Sequence, residues 1–200
     1  MVVVAVKSQK DLREILEAEK ARRRLRDFIP LAWKVLEPGT PYKTGWHIDA
    51  ICEHLEGVTK GHIRNLVINV PPGHSKSRTV TVCWPTWEWI SLPHMRYYCG
   101  SHDQDLSVEH NMERRHIIAS EWYQRHFGHA FEIRADSNLK TQFSNDKGGK
   151  MIATSVGAQK LGKGGERLIA DDPLNPKKAA SDAYLKEAEN WFRRAFLTRS

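Results

Sequence analysis

Cysteine is scarce in this chain. Three of the 200 residues are cysteine, and Cys52, Cys83 and Cys99 stand far apart. No CxxC pair occurs, which leaves neither a zinc ribbon nor a disulfide framework and fits a reducing, cytoplasmic setting. Long apolar runs are missing too. The opening residues 1–6 are apolar but too short for the hydrophobic region of a signal peptide, and no basic segment precedes them. Nothing approaches the ~20 apolar residues of a membrane span, so a soluble protein with no membrane partner is expected. There is no internal repeat and no low-complexity tract. The ten histidines invite a metal reading, but His110 and His116 are not at ligand spacing and no His-Glu-x-x-His occurs.

Apolar residues make up 40% of the chain and seven are tryptophan, enough for a real core. The formal net charge is +7, a balance that favours a polyanionic partner such as DNA or RNA. The length allows one ordinary domain, or one domain with an appended arm.

Residues 8–27 read as a helix opened by Ser8, with Asp11 three residues on and a thin apolar stripe of Leu12, Ile15, Leu16 and Leu25. Its Arg22-Arg23-Arg24-x-Arg26 cluster reads as a solvated helical face or as a DNA- or partner-binding arm. Pro30, Pro38, Gly39 and Pro41 mark a loop-rich connection. A helix from Trp46 to Thr59 follows, with Ile48, Ile51, Cys52, Leu55 and Val58 on one face and Gly61 ending it. Leu66 to Val70 has the signature of a buried strand. Residues 76–91 look helical, with Pro85 expected to kink or interrupt them. A second strand, Met95–Cys99, precedes a charged helix from Asp103 to Ala119. Leu139–Ser144 and Lys150–Thr154 form a hairpin about Asn145–Gly149. A glycine-rich loop (Gly157, Gly162, Gly164, Gly165) leads to a short strand, Leu168–Ala170, and residues 181–197 form a last helix. Strands alternating with helices predict an α/β fold with a mostly parallel, helix-flanked sheet.

Pro71-Pro72-Gly73-His74-Ser75-Lys76-Ser77 stands between the expected strand and helix. Strand, tight loop and Lys-Ser opening a helix is the geometry a triphosphate needs, because backbone N–H groups and the helix N-terminus face the anion. Lys76 supplies a point charge to the phosphates, and the Ser77 hydroxyl can ligate Mg²⁺. Val70 and Ser75 occupy the two glycine positions of the strict pattern, and a plain surface turn is the competing reading. The second expected half of such a site is Arg167-Leu-Ile-Ala-Asp171-Asp172, with Asp171 in the Mg²⁺ shell and Asp172 polarising the attacking water. An Asp-Asp-Pro turn that merely ends a strand is the alternative. Together the two motifs are far more specific than either alone.

From about Trp46 onward the sequence resembles the large terminase subunit of tailed bacteriophages, the motor that packages DNA into procapsids. The resemblance rests on blocks in order: His47-Ile-Asp-Ala-Ile-Cys52, the strand and loop through Ser77, Tyr97-Tyr98-Cys99-Gly100-Ser101, Arg114-Arg115 with Trp122-Tyr123, Phe143-Ser-Asn145 with Gly148-Gly149, Thr154 to Gly157, Leu168 to Pro173, and Trp191-Phe192. That family usually carries Gly just before the lysine, where this chain has Ser75. The resemblance implies a P-loop NTPase of the ASCE/RecA-like class, with an N-terminal helical arm and linker over 1–40 and a partial ATPase domain over 41–200, incomplete at the C-terminus and without the family's nuclease domain. It implies ATP and Mg²⁺ as cofactors, with Pro72, Gly73, His74, Ser75, Lys76 and Ser77 around the phosphates. Lys76 and Asp172 would be catalytic, and Ser77 and Asp171 would hold Mg²⁺. Residues from Tyr42 to His47, Trp46 and His47 among them, would lie near the adenine, with helix capping and core packing as the competing reading. Arg114 or Arg115 would be an arginine finger, or else part of a solvated helix face. The implied partners are double-stranded DNA, a small terminase subunit, the portal protein and further copies of the chain, in the host bacterial cytoplasm. A central strand that follows Asp171 in that ATPase class is expected to be missing, which predicts marginal stability and weak hydrolysis. A superfamily-2-like helicase and a nucleotide- or DNA-binding prophage remnant are the alternatives.

Overall fold

The computed structural model of the chain describes residues 8–156, 165–175 and 177–196. The opening residues and most of the expected glycine-rich loop (Gly157, Gly162 and Gly164) lie outside the described residues. The described residues form two compact units. One runs to Ser91 and includes His116–His129; the other comprises Leu92–Arg115 and the described residues from Ala130 onward.

In the first unit, α1 (Gln9–Arg23) starts where expected, with the Ser8 hydroxyl accepting from the Asp11 amide at 3.2 Å. It does not continue to residue 27. Arg24 is extended (φ −136, ψ 126), and a separate helix α2 (Leu25–Leu36) follows with Pro30 inside it. The loop expected around Pro30 is therefore a helix. Its burial of Leu25, Phe28, Ile29 and Ala32 offsets the roughly 3 kcal/mol that an internal proline costs. The cap of α2 comes from elsewhere in the chain. The buried carboxylate of Glu56, on α3 (Trp46–Thr59), accepts from the Leu25 amide at 2.9 Å. Glu56→Ala is expected to cost about 1–2 kcal/mol in urea unfolding, the value of a lost cap whose donor stays buried.

The buried face of α1 is Ala18 and Ala21, while Leu12 and Leu16 of the expected stripe are exposed. The arginine cluster is matched locally. Arg22 and Arg23 both donate to Glu19, at 2.8 and 2.7 Å, and these bonds hold the Glu19 carboxyl down to about 2. Arg24 and Arg26 have Glu56 and Asp27 within 4.0 and 3.9 Å. In α3 the expected apolar face is buried throughout, and Gly61, at φ +75, follows the helix end with its amide on the Val58 carbonyl.

Leu66–Val70 departs from expectation. It pairs with no strand among the described residues. Leu66, Ile68 and Val70 are half-buried, Asn69 is exposed, and Val67 is 92% exposed. The apolar run Leu66, Val67, Ile68 and Val70 suggests a strand covered on both faces, but only alternate residues are partly covered. A ladder for its backbone N–H and C=O groups requires a neighbouring strand, and sequence pattern cannot supply one.

Residues 76–91 are helical as expected, and Pro85 does not end the helix. A π-helical stretch, Arg78–Cys83, leads into α4 (Trp84–Ser91), and the Trp84 amide reaches back to the Thr79 carbonyl. The wider turn accommodates a proline that cannot donate to the preceding turn, and the Thr86 hydroxyl donates to the Val82 carbonyl at 2.7 Å. Trp87 donates to the Ala21 carbonyl and Trp84 to the Thr59 hydroxyl, so these indoles have partners. The short helix α6 (Glu121–Phe127) places the Tyr123 hydroxyl on the Thr86 carbonyl at 3.0 Å.

The second unit holds a five-stranded sheet in the order β2-β3-β4-β1-β5. Its strands are β1 (Arg96–Ser101), β2 (Ile133–Asn138), β3 (Gln142–Asn145), β4 (Lys150–Ser155) and β5 (Arg167–Ala170). β1 pairs parallel with β4 and β5, whereas β2–β3 and β3–β4 are antiparallel. The α/β class stands, but the sheet is mixed rather than mostly parallel. β2 escaped the sequence reading because it is a polar edge strand, with Arg134 paired to Asp136, and carries no apolar alternation. The β3–β4 hairpin was legible. Asn145 Oδ1 accepts from the amides of Lys147 and Gly149, at 3.0 and 2.8 Å, and Gly148 takes φ +87.

Helices α5 (Gln104–Ala119) and α7 (Asp182–Phe196) flank the sheet. Asn111 of α5 donates to the Lys140 carbonyl at 2.8 Å. Trp191 of α7 lies on Gly100, where an added Cβ would sit 2.8 Å from its ring. No helix of the described residues is long and apolar enough to cross a membrane.

Candidate nucleotide site

The loop Pro71–Ser77 belongs to the first unit. Pro71 to His74 are exposed; Ser75, Lys76 and Ser77 are half-buried. Gly73 takes φ +79 and Ser75 takes φ +57. The helix begins at Lys76, and the Thr79 amide donates to the Ser75 carbonyl at 2.9 Å. Left-handed residues ahead of a helix turn successive N–H groups to one side, which makes an anion-binding concavity. Nothing lies within 4 Å of a Cβ built on Gly73, so the loop is open there. Lys76 and Ser77 occupy the first helical turn, which suits phosphate and the Mg²⁺ that travels with it.

The left-handed φ at Ser75 explains why a glycine suits this position. A Cβ there costs roughly 1–2 kcal/mol, partly returned because glycine is freer in the unfolded chain. Ser75→Gly is therefore expected to leave stability unchanged or raise it by up to ~1 kcal/mol. Ser75→Val, β-branched at positive φ, should lower it by about 1–2 kcal/mol. Urea midpoints of the two variants give the comparison.

His74 turns back on its own loop, its Nδ1 lying 2.9 Å from the Pro72 carbonyl and 3.2 Å from that of Pro71. Its ring meets His47 edge-on, with centroids 5.4 Å apart. Trp46, the first residue of α3, is 83% exposed, which removes core packing as its role. Arg78 lies 5.0 Å over the Trp33 ring and pairs with Glu37 at 2.7 Å. Trp33 in turn meets Tyr42 at 5.7 Å, and burial foremost pushes the Tyr42 phenol up to about 12. Of the residues expected near a base, His47 meets the loop at His74 and Tyr42 packs on Trp33, in the same unit as the loop.

Asp171 and Asp172 belong to the second unit, just past β5. Asp171 is buried; its amide donates to the Gly100 carbonyl at 2.9 Å, and its carboxylate stands 3.9 Å from His110 Nδ1. Asp172 is exposed and left-handed (φ +42), and its carbonyl accepts from the His102 amide and lies 2.8 Å from His102 Nδ1. The turn that ends β5 is thus tied to the end of β1, and ligand sites of α/β sheets lie at such carboxyl ends of parallel strands. Sequence spacing had set His110 aside and had not singled out His102. His102 stands far in sequence from Asp172 and His110 far from Asp171; the parallel pairing of β1 with β5 sets the two strand ends side by side, and α5 carries His110 to Asp171.

Arg114 is fully buried and donates to Asn111 Oδ1 at 2.8 Å. Burial pushes the Cys99 thiol up, opposed by Arg114 and reinforced by Asp171. Arg114 is thereby an interior group of the second unit and is not exposed for reaching into another subunit's site. Arg115 is half-exposed. Among the described residues no three His, Cys, Asp or Glu side chains converge as a metal site, and Mg²⁺ carried by a nucleotide draws most ligands from phosphate and water. No family model matches the chain, and no curated protein matches it significantly.

Proposed function

We propose that the chain is a nucleotide-binding ATPase unit of the phage-terminase type, acting in ATP-driven movement of double-stranded DNA into a procapsid. The observation that carries the nucleotide reading is the left-handed Ser75 immediately ahead of Lys76 and Ser77 in the first turn of a helix. That backbone supports anion binding by N–H groups, with Lys76 on the phosphates and Ser77 toward Mg²⁺. In this reading Asp171 serves the Mg²⁺ shell and Asp172 the attacking water, with Arg115 as the candidate finger. The terminase assignment and its partners (DNA, small subunit, portal and further copies) rest on the ordered sequence blocks.

Titration of the chain with Mg-ATP tests the site. Lys76→Ala removes one charge-assisted contact and should weaken binding about 10- to 100-fold. Equal binding by both proteins, or none by either, defeats the ATP reading. ATP hydrolysis stimulated by duplex DNA without strand separation supports the packaging motor over a helicase. A second reading, a nucleotide-binding module with weak turnover, is favoured by one feature, the Leu66–Val70 segment that carries the loop and pairs with no strand among the described residues. Binding of Mg-ATP without DNA-stimulated hydrolysis distinguishes it.

A further inference from the structure

Ser75 and Asp172 are the two described residues other than glycine with positive φ, and each is bordered by a histidine that holds backbone carbonyl oxygen. Carbonyl oxygen only accepts, so the histidine nitrogen facing it carries the proton. His74 Nδ1 faces the carbonyls of Pro72 and Pro71 at 2.9 and 3.2 Å. His102 Nδ1 faces the carbonyl of Asp172 itself at 2.8 Å, and its own amide donates to the same oxygen at 3.2 Å.

We infer that His74 and His102 are positioning residues that hold these two turns in their left-handed form, each through an Nδ1–H donor. Neither needs to touch substrate to do this. Tying the Pro71 and Pro72 carbonyls to His74 directs negative oxygen onto the imidazole rather than toward an anion above the loop. His102 fixes the peptide that follows Asp172, and so the direction from which that side chain leaves the turn. The role deepens the nucleotide-site reading, and its affinity test depends on that reading, but the tautomer does not.

The side chains that substitute for histidine discriminate the mechanism. The Asn amide nitrogen reaches the place of imidazole Nδ1, whereas Gln reaches that of Nε2. For Mg-ATP binding, His74→Ala and His74→Gln should each weaken affinity about five- to tenfold, the worth of one to two hydrogen bonds, and His74→Asn should restore most of that loss. The same pattern at His102 is expected in the rate of ATP hydrolysis at saturating Mg-ATP, with the KM for ATP little changed. Gln substituting as well as Asn, or Ala behaving as wild type, overturns the clamp. Long-range ¹⁵N–¹H spectra of the nucleotide-free protein at pH 8 decide the tautomers without reference to ATP. Nδ1–H signals for His74 and His102 support the inference, and Nε2–H signals overturn it. A wild-type chain that shows both Nδ1–H tautomers yet binds no Mg-ATP defeats the nucleotide reading and leaves the clamps standing.

Discussion

Trp191→Ala is expected to lower stability by about 3–5 kcal/mol, the cost of removing a large buried aromatic side chain. Trp191 is 4% exposed, and its ring rests on the backbone of Gly100 in the interior strand β1. The glycine and the indole are two halves of one contact. A Cβ at position 100 would meet the ring at 2.8 Å and the Thr154 methyl at 3.1 Å. Gly100→Ala alone should therefore cost about 1–3 kcal/mol through overpacking. In the double variant the cavity receives the new methyl, and the combined loss should fall short of the sum by at least ~0.5 kcal/mol. Equilibrium urea unfolding followed by circular dichroism measures all four proteins; strict additivity defeats the contact. The effect bears on the candidate site because the Gly100 carbonyl receives the Asp171 amide, so a displaced β1 displaces the acid.

Gly149→Ala is the second large effect, expected to cost about 3 kcal/mol. The added Cβ would collide with the backbone carbonyl of Pro93 and come within 2.7 Å of Asn145 Nδ2. A carbonyl cannot swing aside as a flexible side chain can. The same carbonyl accepts from Asn145 Nδ2 at 2.7 Å, and the Gly149 amide donates to Asn145 Oδ1 at 2.8 Å. Moving the turn away from Pro93 thus gives up a part-buried hydrogen bond besides the overpacking cost. Gly148→Ala provides the contrast. Nothing stands near its Cβ, but φ +87 is strained for alanine, so its cost should stay near 1–2 kcal/mol. A Gly149→Ala midpoint equal to that of Gly148→Ala rejects the steric account.

Local chemistry made much of this protein legible in its sequence. Ser8 with Asp11 opened α1 because a serine oxygen serves an amide three residues on. The apolar period of α3 and the Asn145–Gly149 turn were likewise readable, since helix amphipathicity and turn glycines act over a few residues. The loop at Pro71–Ser77 and the acids at Asp171-Asp172 stand out by residue type and order alone.

What escaped depended on partners distant in the chain. Residues 25–36 became helix despite Pro30 because α2 buries an apolar face and Glu56 caps it. Leu66–Val70 has the pattern of a strand, yet a ladder requires a neighbour, and none of the described strands pairs with it. β2 joined the sheet as a polar edge with no apolar signal. His102 reached Asp172 because β1 lies parallel to β5, and His110 reached Asp171 from α5, which follows β1. Sequence alone determined which residue types stand in the loop at 71–77 and just past β5, because residue identity and short turns are local properties. Tertiary structure decided which backbones are paired, which charges are buried, and that Ser75 and Asp172 stand in left-handed turns beside histidines, because each of these depends on atoms that only folding brings together.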